Sequence, residues 1–429
     1  MTPDQSAFER AAWSWVEHLR QAGTTPWAVW VQRGEAGWSA APATGGRLPG
    51  ALPGAAELEL VRRLAERTPA PSASFTALAD HAFGRSGPGR GLGELPLLWP
   101  AAEGRPRFGP PPVDPAQVPD QELIRVGTGV LADLLLRDDP IDLRYRYADR
   151  SVYVPSHLRY RRETARHRFW QRSFRLAGAP VTASAVRAGL LAGGRVPGGR
   201  RPTVLLFARP LEELLTQVWS ARVQAGAHVR WPTFVNTWAH QDTLPPAADL
   251  AGLAARWASR VGPRRVHVVL SGDDDQARRT TEAVLGLPVE GPGTPAVAAL
   301  TPAATDLVRG INVVLDVKVL PDRRAEAVRR LLLLLHGAAT PALAVPEQHR
   351  DWLTPTAATM TEQLRRGGYA VHGDPGLILT GRPGAPRRPL RTEVLALTLD
   401  ACLQAAGAVA KPADRVAGGA RTGREERAR

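Results

Sequence analysis

The chain has 429 residues, enough for two or three domains at roughly 100 to 200 residues each, and its 44% hydrophobic and 22% charged content is that of a globular protein. A single cysteine, Cys402, excludes an internal disulfide framework and a Cys-rich zinc or iron–sulfur site, and fits a reducing, cytoplasmic setting. The net charge of +14 rests on 55 basic residues, of which only Lys318 and Lys411 are lysines, and residues 144–201 alone hold 14 arginines against Asp149 and Glu163.

In chain order, residues 5–22 place Phe8, Ala11, Ala12, Trp15 and Leu19 at helical spacing, with Gly23 to end the helix. Asp4, Glu9 and Glu17 stand where a signal peptide would have a basic start and an apolar run, so no export is expected. Trp27–Gln32 reads as a strand, and 55–67 and 75–83 as helices. Residues 1–99 are therefore expected to form a small α+β domain, with Trp13, Trp15, Trp27, Trp30 and Trp38 supplying its core. Seven prolines within 100–119 forbid regular structure and mark a linker. From 120 to 395, a helix at 121–137 precedes short β-rich runs at 152–154, 204–208 and 266–270 that alternate with helical ones, the pattern of a parallel sheet covered by helices. The five leucines of 331–335 fall far short of the roughly 20 residues of a spanning helix, so no membrane span is expected. A last amphipathic helix covers 392–406, and 407–429 reads as a disordered tail.

Several runs carry possible chemistry. Residues 174–194 combine an apolar start, a Gly/Pro/Thr/Ser turn and a helix. A strand-to-helix turn of this kind can present backbone N–H groups to an anion, or Thr182 and Ser184 can simply cap the helix. Residues 144–175 interleave arginines with Tyr145, Tyr147, Tyr153, Tyr160, Phe169, Trp170 and Phe174, which suits nucleic acid or a sugar polymer, or else a solvated helix face. No named nucleic-acid motif accompanies the charge, so sequence-specific DNA reading is not expected. Asp273, Asp274 and Asp275 follow the 266–270 strand and read as a helix cap more readily than as a metal site. His228 and His240 lack a carboxylate at ligand spacing, so no metal is expected, and Trp231, Phe234 and Trp238 read as core.

The run Gly178, Pro180, Thr182, Ser184 resembles the phosphosulfate-binding loop of sulfotransferases that use 3′-phosphoadenosine 5′-phosphosulfate (PAPS). That loop runs Gly-x-Pro-Lys-Ser/Thr-Gly-Ser/Thr, and here Val181 stands at the lysine and Ala183 at the second glycine. Residues 202–222 resemble the segment holding the donor's 3′-phosphate, with Arg209 at the family's arginine, Gln217 where its serine is expected and Trp219 at a tryptophan of bacterial members. Likeness to actinobacterial sulfotransferase-like proteins continues through 253–270, 275–288, 306–315 and 349–374, covering 174–380 in all.

The resemblance implies a P-loop-like three-layer α/β/α domain over 120–395 and a site for PAPS or adenosine 3′,5′-bisphosphate (PAP) made by Gly178, Pro180, Thr182, Ser184 and Arg209. The family's lysine neutralises charge on the transferred sulfuryl group, a role that valine cannot fill. The short connection 193–203 also leaves no room for the insertion that carries the acceptor site and general base in these enzymes. The expectation is a sulfotransferase-like protein with a degenerate active site that keeps an anion or nucleotide pocket, acting beside enzymes that modify anionic surface polymers. One alternative is an active transferase in which an arginine such as Arg187 replaces the lysine. The other is a binding or scaffold protein that grips an acidic partner through Arg159, Arg161, Arg162, Arg166, Arg168 and Arg172.

Overall fold

The computed structural model describes residues 3–34, 52–68, 70–85, 96–98, 111–137, 173–290, 295–335, 342–381 and 385–407. The run 152–154, most of the Pro-rich linker and the tail beyond 407 lie outside the described residues. In chain order come helices α1 (Pro3–Arg20), α2 (Trp27–Gln32), α3 (Ala55–Glu66), α4 (Ala73–Phe83) and α5 (Asp120–Leu136). Strand β1 (Phe174–Gly178) leads into α6 (Pro180–Ala192), and β2 (Thr203–Ala208) into α7 (Leu211–Gln224), α8 (Trp231–His240) and α9 (Leu250–Val261). After β3 (Val266–Leu270) follow α10 (Asp274–Leu285), α11 (Pro302–Lys318), α12 (Pro321–Leu334), α13 (Arg350–Arg366), β4 (Ala370–His372) and α14 (Arg391–Ala405). The protein is α/β, mostly helical with a four-stranded parallel sheet, and no described helix is long and apolar enough to cross a membrane. The chain divides into two compact units, one of residues 1–137, 313–335 and 391–429, the other of 138–312 and 336–390.

The regular elements described in the first unit are helices, with one isolated parallel β-bridge between Leu97 and Val113. Trp27–Gln32, read from sequence as a strand, is a helix, and its tryptophans explain why. Trp27 and Trp30 are both buried, and helical spacing puts them on one face, toward α1, where a strand would point them to opposite faces. Trp27 packs 5.1 Å from Trp15, and Trp30 stacks 4.5 Å from His18, both centroid to centroid. Glu59, 1% exposed, is held by Arg62 at 2.7 Å and Arg63 at 2.8 Å, so its burial does not leave a lone charge. Helices α5 and α14 cross at Gly127, where a Cβ would lie 2.7 Å from Thr398 Cγ2. Cys402 is buried at the same crossing, and burial pushes its thiol pKa up to about 12, leaving a protonated packing group.

The second unit is built on the sheet. Its order is β1-β2-β3-β4, all parallel, so each strand lies beside the next in sequence. Val204 to Ala208 are completely buried, so β2 is covered on both faces, as its unbroken apolar run requires. Helix α6 packs on β1, α10 on β2 and β3, and α9 across β1, β2 and β3. Gly178 pairs with Phe207 and Phe207 with Val269, which sets the C-terminal ends of three strands level. Asn312, fully buried, donates to the carbonyls of Val223 and Ala227 at 2.8 and 2.9 Å and so satisfies groups at the end of α7.

Candidate functional site

The level strand ends create a polar cluster. Gly178 leaves β1 at φ +90°, and a Cβ there would sit 2.2 Å from the Phe207 carbonyl oxygen, so only glycine lets β1 turn against β2. Pro180 starts α6 at a position where its missing N–H costs nothing. The Val181 N–H donates to Gln217 Oε1 at 3.2 Å, and the Gln217 amide donates in turn to Glu213 at 3.2 Å. Part of the expected anion cradle is thus filled by a side chain from α7.

Arg209, 3% exposed, lies just past β2 and reaches across the strand ends. Its Nε and Nη2 donate to Thr182 Oγ1 at 3.2 and 3.0 Å, and Nη1 donates to the Ser271 carbonyl at 3.3 Å. The Thr182 hydroxyl, fully buried, donates to Asp274 Oδ1 at 2.9 Å, and Arg209 Nη2 donates to the same oxygen. Glu213 lies 3.8 Å from Arg209 Nε. One guanidinium therefore faces two carboxyl groups, and the Asp274 carboxylate accepts from both Thr182 and Arg209. The side chain of Asp274 is 53% exposed, so that group can reach solvent. The Ser271 hydroxyl, on a residue only 1% exposed, has no hydrogen-bond partner among the described residues.

Of the residues singled out from sequence, Gly178, Pro180, Thr182 and Arg209 come together here. Ser184 does not join them: its hydroxyl accepts from the Val297 N–H at 2.8 Å. Arg187 lies five residues past Thr182, about 140° round the helix at 3.6 residues per turn. Asp273 caps α10 by accepting from the Gln276 N–H at 2.6 Å, and no group of three metal-ligating side chains occurs among the described residues. Arg159, Arg161, Arg162, Arg166, Arg168 and Arg172 lie outside the described residues. Trp231 and Phe234 are core residues, whereas Trp238 sits under the Arg222 guanidinium at 5.9 Å. Asp274, Gln217 and Glu213 complete the cluster and were not assigned to it by sequence. A separate cavity of about 590 Å³ is lined by Asn236, His240, Gln348, His349 and Trp352 among others, with the buried Trp352 indole N–H unpaired.

No protein-family model, curated protein or solved structure matches this chain.

Proposed function

We propose that the protein is a sulfotransferase-like α/β protein without sulfuryl-transfer chemistry, whose strand-end cluster is an anion site held closed by Asp274. The observation that carries this reading is the buried Arg209–Thr182 pair bonded to an internal carboxylate at the C-terminal ends of β1 to β3. A phosphate or sulfate group has the charge and acceptor geometry to take the Asp274 position, and the unpaired Ser271 hydroxyl offers one more donor to it. Catalysis is not part of the proposal, since Val181 stands where the family's lysine acts and Arg209 is already committed to a carboxylate. The P-loop-like, three-layer reading of the domain is part of the same proposal. It draws on the β1–turn–α6 and β2–α7 segments and on the doubly covered β2, not on strand order, because a sheet running β1-β2-β3-β4 lacks the reversal at which open α/β sheets bind ligands.

Titration calorimetry with PAP, on the wild type and on Asp274→Asn, tests the reading. Asp274→Asn should bind PAP at least tenfold more tightly than the wild type, and adding Arg209→Lys should remove the gain. If Asp274→Asn binds PAP no better than the wild type, the cluster is a structural polar network and not a closed anion site.

A further inference from the structure

The opposite end of the same sheet carries charge of another kind. Because all four strands are parallel, the segments that enter them share one edge, and three of those segments bring arginine pairs. Arg200 and Arg201 precede β2, Arg264 and Arg265 precede β3, and Arg365 and Arg366 precede β4 across Gly367, Gly368 and Tyr369. Val204 pairs with Val266, so β2 and β3 start level, and Arg265 Nη1 donates to the Arg201 carbonyl at 2.8 Å, which locks the first two pairs side by side. The turn holding Arg264 and Arg265 also touches β4.

An arginine-rich composition scatters such residues widely. Many meet carboxylates, as Arg62 meets Glu59 and Glu66 and Arg387 meets Glu347. Exposed arginines without an ion pair among the described residues also occur elsewhere, at Arg230, Arg279, Arg388 and Arg391, and what sets this end of the sheet apart is that it gathers several of them. Arg200, Arg201, Arg264, Arg265 and Arg365 are exposed and have no ion pair among the described residues, while Arg366 alone is paired, with Glu362 at 2.6 Å. Arg260, also exposed, adds a guanidinium 5.6 Å above the half-buried Trp257 ring.

We propose that this edge binds the phosphodiester backbone of single-stranded nucleic acid. Strands lie about 4.8 Å apart, so the entries to β2, β3 and β4 form a row about 10 Å long. A nucleic-acid strand with stacked bases advances about 3.4 Å per phosphate, the rise of one duplex strand, and presents roughly three phosphates over that length, fewer where it is extended. Arginine forks bind phosphate oxygens in pairs, and Trp257 and Tyr369, both half-buried near the row, give bases a surface on which to stack. A row of guanidinium groups, of which only Arg366 is paired with a carboxylate among the described residues, matches a polymer of uniformly spaced anions. The Arg209 cluster plays no part, so this site stands whether or not PAP binds at the other end.

Fluorescence anisotropy with a labelled 20-nucleotide oligouridylate tests the proposal on the full chain. Two fourfold variants are compared with the wild type: Arg200, Arg201, Arg264 and Arg265 to Ser, and Arg159, Arg161, Arg162 and Arg166 to Ser. Far-UV circular dichroism and the thermal midpoint establish that each remains folded. The edge variant should bind at least tenfold more weakly at 100 mM salt. Its slope of log affinity against log salt should shrink by about 3, at about 0.7 for each phosphate that an arginine no longer neutralises. An edge variant that binds within twofold of the wild type overturns the proposal, as does a wild type that binds polyglutamate as tightly as oligouridylate or fails to bind oligouridylate at all. A loss of binding confined to the second variant also overturns it, since binding would then belong to the arginines of residues 159–166.

Discussion

His267 and His372 face each other from neighbouring strands, with Nδ1 and Nε2 3.0 Å apart and the rings at 13°. That bond needs one neutral nitrogen as acceptor, so protonating both rings breaks it and brings two cations together. Burial lowers both pKa values, and for His267 the neighbouring His372 adds to the effect. In the other unit burial likewise lowers His18 and His81, helped by Arg33 and Arg137 respectively. A histidine whose folded pKa lies below its unfolded value of about 6.5 binds fewer protons when folded. Its stabilising contribution is therefore complete above that pH and is lost as the pH falls below it. Thermal midpoints measured from pH 7.5 to 5 should fall as the pH drops past about 6.5, and should fall less in His372→Gln. A midpoint that stays level or rises over that interval would contradict the assignment.

At the scale of the element, the turn between β1 and α6 depends on one backbone conformation. Gly178→Ala forces a Cβ against the Phe207 carbonyl at φ +90°, and the two strands must separate or the turn must change. The expected loss is about 2 to 4 kcal/mol, combining left-handed strain with overpacking. Gly194 has φ +71° with nothing within 4 Å, so Gly194→Ala should cost only the strain, about 1 to 2 kcal/mol. Urea unfolding midpoints for the two variants separate these terms, and equal losses would mean that the β1–β2 approach is not tight. Strands β2 and β3 were legible in sequence because short β-rich apolar runs between turns suit strands in a covered parallel sheet, unbroken in β2 and interrupted only by His267 in β3. Trp27–Gln32 was not, since six residues with large apolar groups fit either period until the partner surface of α1 is known. At three residues, β4 is too short to carry a pattern of its own. Thr182 and Arg209 were singled out through the resemblance to the sulfotransferase loop and arginine. Asp274 was not, because it lies 92 and 65 residues from them and joins them only once parallel pairing levels the strand ends.

Across the whole molecule, 55 basic residues outnumber 41 acidic ones, and among the described residues the two ends of the sheet treat their arginines differently. At the strand C-termini the buried Arg209 is matched by Asp274 and Glu213, whereas at the strand N-termini Arg200, Arg201, Arg264, Arg265 and Arg365 are exposed without an ion pair among the described residues. The first arrangement stabilises the sheet and makes any external anion compete with an internal one; the second leaves charge free for a polyanion. Asp274 is the carboxylate to which both Arg209 and Thr182 donate. A double-mutant cycle with Arg209→Gln and Asp274→Asn, read by urea unfolding, measures that partnership directly. The predicted coupling is about 1 to 3 kcal/mol, in the range of residues sharing one hydrogen-bond network. A coupling within about 0.3 kcal/mol of zero, the additivity expected of independent sites, would mean that Asp274 does not close the site and would contradict the account.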